Sequence, residues 1–224
     1  MPTRLILSLS LALVAAVPAV PAGGQLAARP APDWIARLER PDRIAGLKIP
    51  EVVAALHLKP GDRVADLGAG GGVFSFPLAR AVAPGGTVYA VEIDKGFLTH
   101  IESRAKEQGI TNVRTVLGAF DDPKLPTKVD VAFLHDVLHH IEHRSAYLMA
   151  VSAALTPTGR IAVVELDATK PDSSHRDDPA LQVTPDQVQA WMAAAGLQKS
   201  EEVKLFDDKW YVIYAKAPAR PGRN

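Results

Sequence analysis

The stretch Val64-Ala65-Asp66-Leu67-Gly68-Ala69-Gly70-Gly71-Gly72 constrains the fold of this chain more than any other. An apolar run ends in an acid, and glycines follow at alternate positions, Gly68, Gly70 and Gly72. Glycine lets the backbone turn sharply and leaves bare main chain for a ligand to lie against. The residues that follow, 73–83, suit a helix. Strand, glycine turn and helix in this order make the floor of a nucleotide-like site, at the carboxyl end of the first strand of an open α/β sheet. Asp66 ends that strand and offers a carboxylate to a hydroxyl or a cation.

The spacing narrows the ligand. A dinucleotide fingerprint G-x-G-x-x-G would need glycine at Val73 or Ser75. A nicotinamide oxidoreductase is therefore disfavoured. A Pro84-Gly85-Gly86 turn leads into a second β-rich run, 87–92, that also ends in a carboxylate. An acid about 20 residues beyond a glycine loop is placed to accept hydrogen bonds from ribose hydroxyls, which makes Glu92 a binding candidate. Asp94 reads instead as the N-cap of a helix over 95–108.

Strand and helix alternate along the rest of the chain. Strands are expected at 63–67, 87–92, 113–117, 129–134 and 160–166, with a late helix at 185–195. Two further β-rich runs, 201–206 and 210–216, are separated by Asp207-Asp208-Lys209, short enough only for a hairpin. The expectation is an α/β fold: a doubly wound, mostly parallel, seven-stranded sheet closed by a C-terminal antiparallel hairpin. Upstream, Asp33 is expected to cap a short helix through Arg40, and Pro50 to open another over 51–58.

The D-x-G-x-G-x-G run, Glu92 and the terminal hairpin resemble the class I S-adenosylmethionine-dependent methyltransferases, over about 47–216. The resemblance implies a Rossmann-like methyltransferase domain, 47–217. It implies S-adenosylmethionine as cofactor and methyl transfer to a small-molecule acceptor. It places Asp66, Gly68, Gly70, Gly72 and Glu92 on the cofactor, with Ile93 against one adenine face. Gly118, Ala119 and Asp121, after the third strand, would meet the adenine; Asp121 lies later than the commonest family spacing, and a plain Asp121-Asp122-Pro123 turn is an equal reading. In this family the end of the fourth strand faces the methyl group and its acceptor, so His135 and Asp136 are the catalytic candidates. His139 and His140 resemble the His-His pair of quinone and small-molecule methyltransferases. Such a reaction is an in-line displacement that depends chiefly on alignment. A base is needed only if the acceptor must lose a proton.

Metal is a weaker reading. His135 with His139, and His139 with His143, have helical spacing, and Glu165 and His175 could approach, but no H-E-x-x-H is present. No metal is expected. His175 sits in a polar run, 172–178, and is most simply a loop residue.

Arg4 followed by an apolar run, 5–20, and small residues before Gly23 reads as a secretory signal peptide, 1–22. The run is shorter than the roughly 20 residues a spanning helix needs, so no stable membrane insertion is expected after cleavage. Residues 23–46 then form a linker and helical extension, and 218–224 a disordered tail. The protein is expected to be exported, periplasmic or secreted. No cysteine is present, so disulfides, thiolate nucleophiles and acylated lipoproteins are excluded. A formal net charge of +0 gives no sign of a nucleic-acid partner. Export also raises an alternative: a non-catalytic S-adenosylmethionine-binding or sensor protein, because that cofactor is a cytosolic metabolite.

Overall fold

Short β-branched runs such as Val64 to Leu67 and Val129 to Leu134 are buried almost throughout, as strands covered on both faces must be. In the computed structural model, which describes residues 30–216, they assemble one sheet of seven strands. The strands are β1 (Arg63–Leu67), β2 (Thr87–Glu92), β3 (Val113–Leu117), β4 (Val129–His135), β5 (Leu155–Leu166), β6 (Leu197–Glu202) and β7 (Lys209–Lys216). Their order is β3-β2-β1-β4-β5-β7-β6. The first five are parallel, and β7 pairs antiparallel with both β5 and β6. The order reverses between β1 and β4, and a crevice opens at their carboxyl ends.

Among the described residues, seven α-helices cover the sheet: α1 (Ala31–Leu38), α2 (Pro41–Gly46), α3 (Ile49–Ala55), α4 (Ser75–Ala81), α5 (Lys95–Glu107), α6 (Arg144–Ala153) and α7 (Pro185–Ala194). One core joins Leu148, Val151, Val188 and Met192 to Leu134 and Val163. The opposite core joins Val52, Leu56, Leu78 and Val82 to Phe133 and Ile213. Caps set the helix starts. Asp94 accepts a hydrogen bond from Gly96 N (2.6 Å). Thr184 and Gln187 form a reciprocal capping box behind Pro185.

Several boundaries differ from expectation, each for a physical reason. β5 begins at Leu155, five residues early, because Leu155 pairs with Val129 before Thr156 to Gly159 break the register. β6 is shifted four residues back: Gly196, at φ 76°, ends α7 and sends Leu197 straight into the sheet. Val203 and Leu205 alternate like strand residues, yet they and Phe206 pack on the core around Val52. Asp33 does not cap its helix; α1 starts from Pro30 and stops before Pro41, whose ring holds Arg40 extended (ψ 135°). The extra helix α2 follows from that break. The signal-peptide, linker-start and tail assignments, 1–22, 23–29 and 218–224, lie outside the described residues.

Candidate functional site

The glycine loop leaves β1 with Gly68, Gly70 and Gly72 all at positive φ, 70°, 53° and 82°. At Gly68 a Cβ would lie 2.2 Å from Val137 Cγ2, and at Gly70 it would lie 3.2 Å from Leu38 Cδ1. Only glycine lets β4's exit and helix α1 close on this turn. The result is a cavity of about 300 Å³, at the lower end for small-molecule sites. Asp66, Gly68, Gly70, Glu92, Ile93, His135 and Asp136 all line it. A second cavity of about 70 Å³ adjoins it; Glu92, Ile93, Gly118, Ala119, Phe120 and Tyr147 line that one. Gly68, Phe120, Val137 and His140 border both.

Two candidates stand elsewhere. Gly72 faces inward, where a Cβ would lie 3.1 Å from Ile101 and 3.2 Å from Phe76, so its smallness serves packing. Asp121 is exposed and lines neither cavity.

Asp66 is 3% exposed and accepts a hydrogen bond from Ser75 Oγ (2.6 Å). Burial pushes its carboxyl up to about 7, with Glu92 adding to the rise and Ser75 opposing it. Glu92 is raised too, mainly by burial, with the Asp94 charge adding to the rise and backbone donors opposing it: Gly70 N at 2.8 Å, Ile93 N at 2.9 Å and the Asp94 backbone. With three donors on about four lone-pair sites, the carboxylate keeps room for a further donor.

At the end of β4, His135 is enclosed by Phe74 (ring centroids 4.7 Å apart), Phe133 (6.1 Å) and Phe206 (6.4 Å). Its Nδ1 lies 3.3 Å from Asp136 Oδ2, while its Nε2 is buried with no hydrogen-bond partner among the described residues. Such an orphan is costly unless a ligand or water meets it. Asp136 adopts φ 53°, a left-handed conformation that aspartate tolerates. Lys209 Nζ bonds both its oxygens, at 2.6 and 2.5 Å. Burial disfavours the charge on Asp136, but His135 and Lys209 outweigh it and hold the carboxyl far below the usual range.

His139, His140 and His175 gather beside this point. His139 is 3% exposed and bonds Glu165 (2.7 Å), itself 1% exposed. The His175 ring centroid is 4.4 Å from that of His139. Among the described residues, no group of three or more ligating side chains is arranged to hold a metal ion.

Trp34, Leu38 and Arg43 also line the larger cavity, and sequence reasoning missed all three. Lys209 reaches Asp136 across 73 positions, which only the β5–β7 pairing creates. The apolar Trp34 and Leu38 at helical spacing were the one available hint that the N-terminal segment lies over the site.

A family model described as a methyltransferase domain matches residues 58–214. The chain is 28% identical over 111 residues to the mitochondrial ubiquinone biosynthesis O-methyltransferase of Schizosaccharomyces pombe, covering 49% of this chain and 39% of that one. It is 28% identical over 109 residues to the ubiquinone/menaquinone biosynthesis C-methyltransferase UbiE of Burkholderia cenocepacia, covering 49% and 45%. The chain thus spans less than half the length of these curated relatives. Its fold is similar to that of a SAM dependent methyltransferase from Aquifex aeolicus, with a TM-score of 0.74 at 20% identity, covering 83% of this chain and 98% of that one.

Proposed function

The chain belongs to the methyltransferase-domain family, and from that premise we propose that it binds S-adenosylmethionine in the glycine-loop cavity and transfers the methyl group to a small-molecule acceptor. The observation that carries this reading is the pair of adjoining cavities, with bare glycine backbone and Glu92 on one side and His135 and Asp136 on the other. The donor set fits the cofactor. Glu92 keeps acceptor capacity for a ribose hydroxyl, and Ile93, Gly118 and Ala119 line the adjoining cavity, where adenine would sit. Arg43 donates to Leu38 O (2.9 Å) and keeps further N–H groups for the cofactor's carboxylate. The buried, unpartnered His135 Nε2 awaits a polar group of the ligands.

When bound, S-adenosylmethionine supplies a methyl group activated by a sulfonium. The residues of the chain align and dry the site, an effect that reaches several powers of ten in favourable cases. The His135 and Asp136 pair would face the acceptor. Relatives named for ubiquinone biosynthesis make a ring-bearing small molecule the acceptor class in keeping with the site. The N-terminal segment 1–22, read as a signal peptide, would carry the domain out of the cytoplasm.

Calorimetric titration with S-adenosylmethionine, alongside radiolabelled methyl incorporation into a mixture of small-molecule extracts, tests the function. Binding with incorporation supports methyl transfer. Binding alone, across all extracts, would support the non-catalytic binding protein, and no binding would sink both.

A further inference from the structure

Alignment for methyl transfer uses Asp136 and leaves Lys209 without a task. Lys209 opens β7, pairs with Leu166 of β5, and has a side chain only 9% exposed. A lysine is seldom so enclosed unless it is paired. Its partner is Asp136: Lys209 Nζ donates to both carboxylate oxygens, at 2.6 and 2.5 Å. Asp136 is fixed by its own backbone as well, because its N donates to Val164 O (3.0 Å) and its φ is 53°. Lysine and aspartate are thus locked together at the wall of the larger cavity, which Asp136 lines.

That wall carries an excess of acid. Among the described residues, four carboxyl groups, Asp66, Glu92, Asp94 and Asp136, line the cavity against one guanidinium, Arg43. Asp66, pushed up to about 7 by burial, is partly protonated at neutral pH. Asp136 is not: burial disfavours its charge, but His135 and Lys209 outweigh burial and keep it ionised. We propose that Lys209 masks the Asp136 carboxylate and so sets how strongly the cavity prefers a sulfonium nucleoside to the neutral thioether left after methyl transfer. The inference rests on the S-adenosylmethionine reading.

The two nucleosides differ by one methyl group and by one positive charge at sulfur. A bare carboxylate on the wall would grip the charged form. That charge disperses as the methyl–sulfur bond breaks with its pair left on sulfur, so the grip would stabilise the bound cofactor more than the transition state and slow the transfer. Lys209 cancels most of the carboxylate's field at contact distance, and the pair presents a dipole to the cavity in place of a full charge. Lys209 acts here through Asp136 and has no need to touch either nucleoside. Because it is carried on a paired strand, it holds this geometry without help from the ligand.

Calorimetric titration of the full chain with S-adenosylmethionine and, separately, with S-adenosylhomocysteine reads the ratio of the two affinities. Asp136→Asn leaves the lysine charge unopposed, and the preference for S-adenosylmethionine should fall at least about fivefold, the scale of a unit charge acting across a partly wet cavity. Lys209→Met bares the carboxylate, and the preference should rise by a similar factor. The double variant removes both charges and should return the ratio to within about twofold of the wild type, as should Lys209→Arg, which keeps the cation. Lys209→Met is the variant most prone to unfold, because it leaves a buried charge unpaired. Asp136→Asn and the double variant then carry the test, since asparagine tolerates the left-handed backbone. Asp136→Asn decides the sign: a ratio unchanged or raised there overturns the inference whatever Lys209→Met does. Both affinities falling together at constant ratio would make the pair a structural clamp and sink this inference alone. A wild type that binds neither nucleoside sinks the cofactor reading and the inference with it.

Discussion

Burial raises Asp66 to about 7 while a single side-chain hydrogen bond, from Ser75 Oγ, holds it. A raised carboxyl means that the folded state keeps a proton the unfolded chain has released. Stability from this group is complete below about 4, the ordinary aspartate value, and is lost as pH rises through about 7. Asp66→Asn removes the titration, so urea unfolding of the variant should vary less between pH 5 and pH 8, by on the order of a few kcal/mol. Parallel profiles for the two proteins would show that Asp66 does not hold its proton on folding. Glu92 and Asp94 separate two roles two residues apart. Glu92→Ala should weaken S-adenosylmethionine at least tenfold, about 1.4 kcal/mol. Asp94→Ala should cost about 1 kcal/mol of stability through the lost cap on Gly96 and leave affinity nearly unchanged. The reverse ranking in a calorimetric comparison would mean that Asp94 is the ligand. Both residues were legible in the sequence because their work is local: one ends a strand and the other starts a helix. Lys209 was not, because nothing within its own run reports the carboxylate it meets.

Helix α1 is the element that sequence periodicity undervalued. Its side chains complete the cavity from above, with Leu38 on Gly70 and the following Glu39 bound to His100 (2.7 Å) and Arg104 (3.2 Å) of α5. These partly exposed ion pairs each contribute on the order of 1 kcal/mol or less. Glu39→Ala should therefore unfold at nearly the wild-type midpoint while its S-adenosylmethionine affinity falls several-fold, because the helix that covers the ligand is less firmly docked. A midpoint that collapses with unchanged affinity would make α1 a structural brace only. The central strands β1 to β4 were legible because their apolar runs are bounded by turns and acids. β6 was not: Val203 and Leu205 alternate as a strand would, but their burial comes from the core around Val52, and the exposed polar run before them forms the ladder.

At the scale of the whole molecule, the strand order places five parallel carboxyl ends along one rim and reverses beside β1. A ligand seated there touches both halves of the sheet and binds only the folded state. S-adenosylmethionine at a hundred times its Kd should add about 2.7 kcal/mol to stability. For a chain of this size that corresponds to a rise in Tm of roughly 5–10 °C, whereas NADH should give none. A thermal scan in which NADH matched S-adenosylmethionine would return the site to the dinucleotide binders. The rim has a practical side as well. Phe120 is 57% exposed yet borders both cavities, and the chain contains no cysteine. A single thiol introduced there by Phe120→Cys would be chemically unique. An environment-sensitive dye attached to it would turn the lip of the crevice into an optical gauge of occupancy, able to screen unlabelled compounds for the acceptor one at a time.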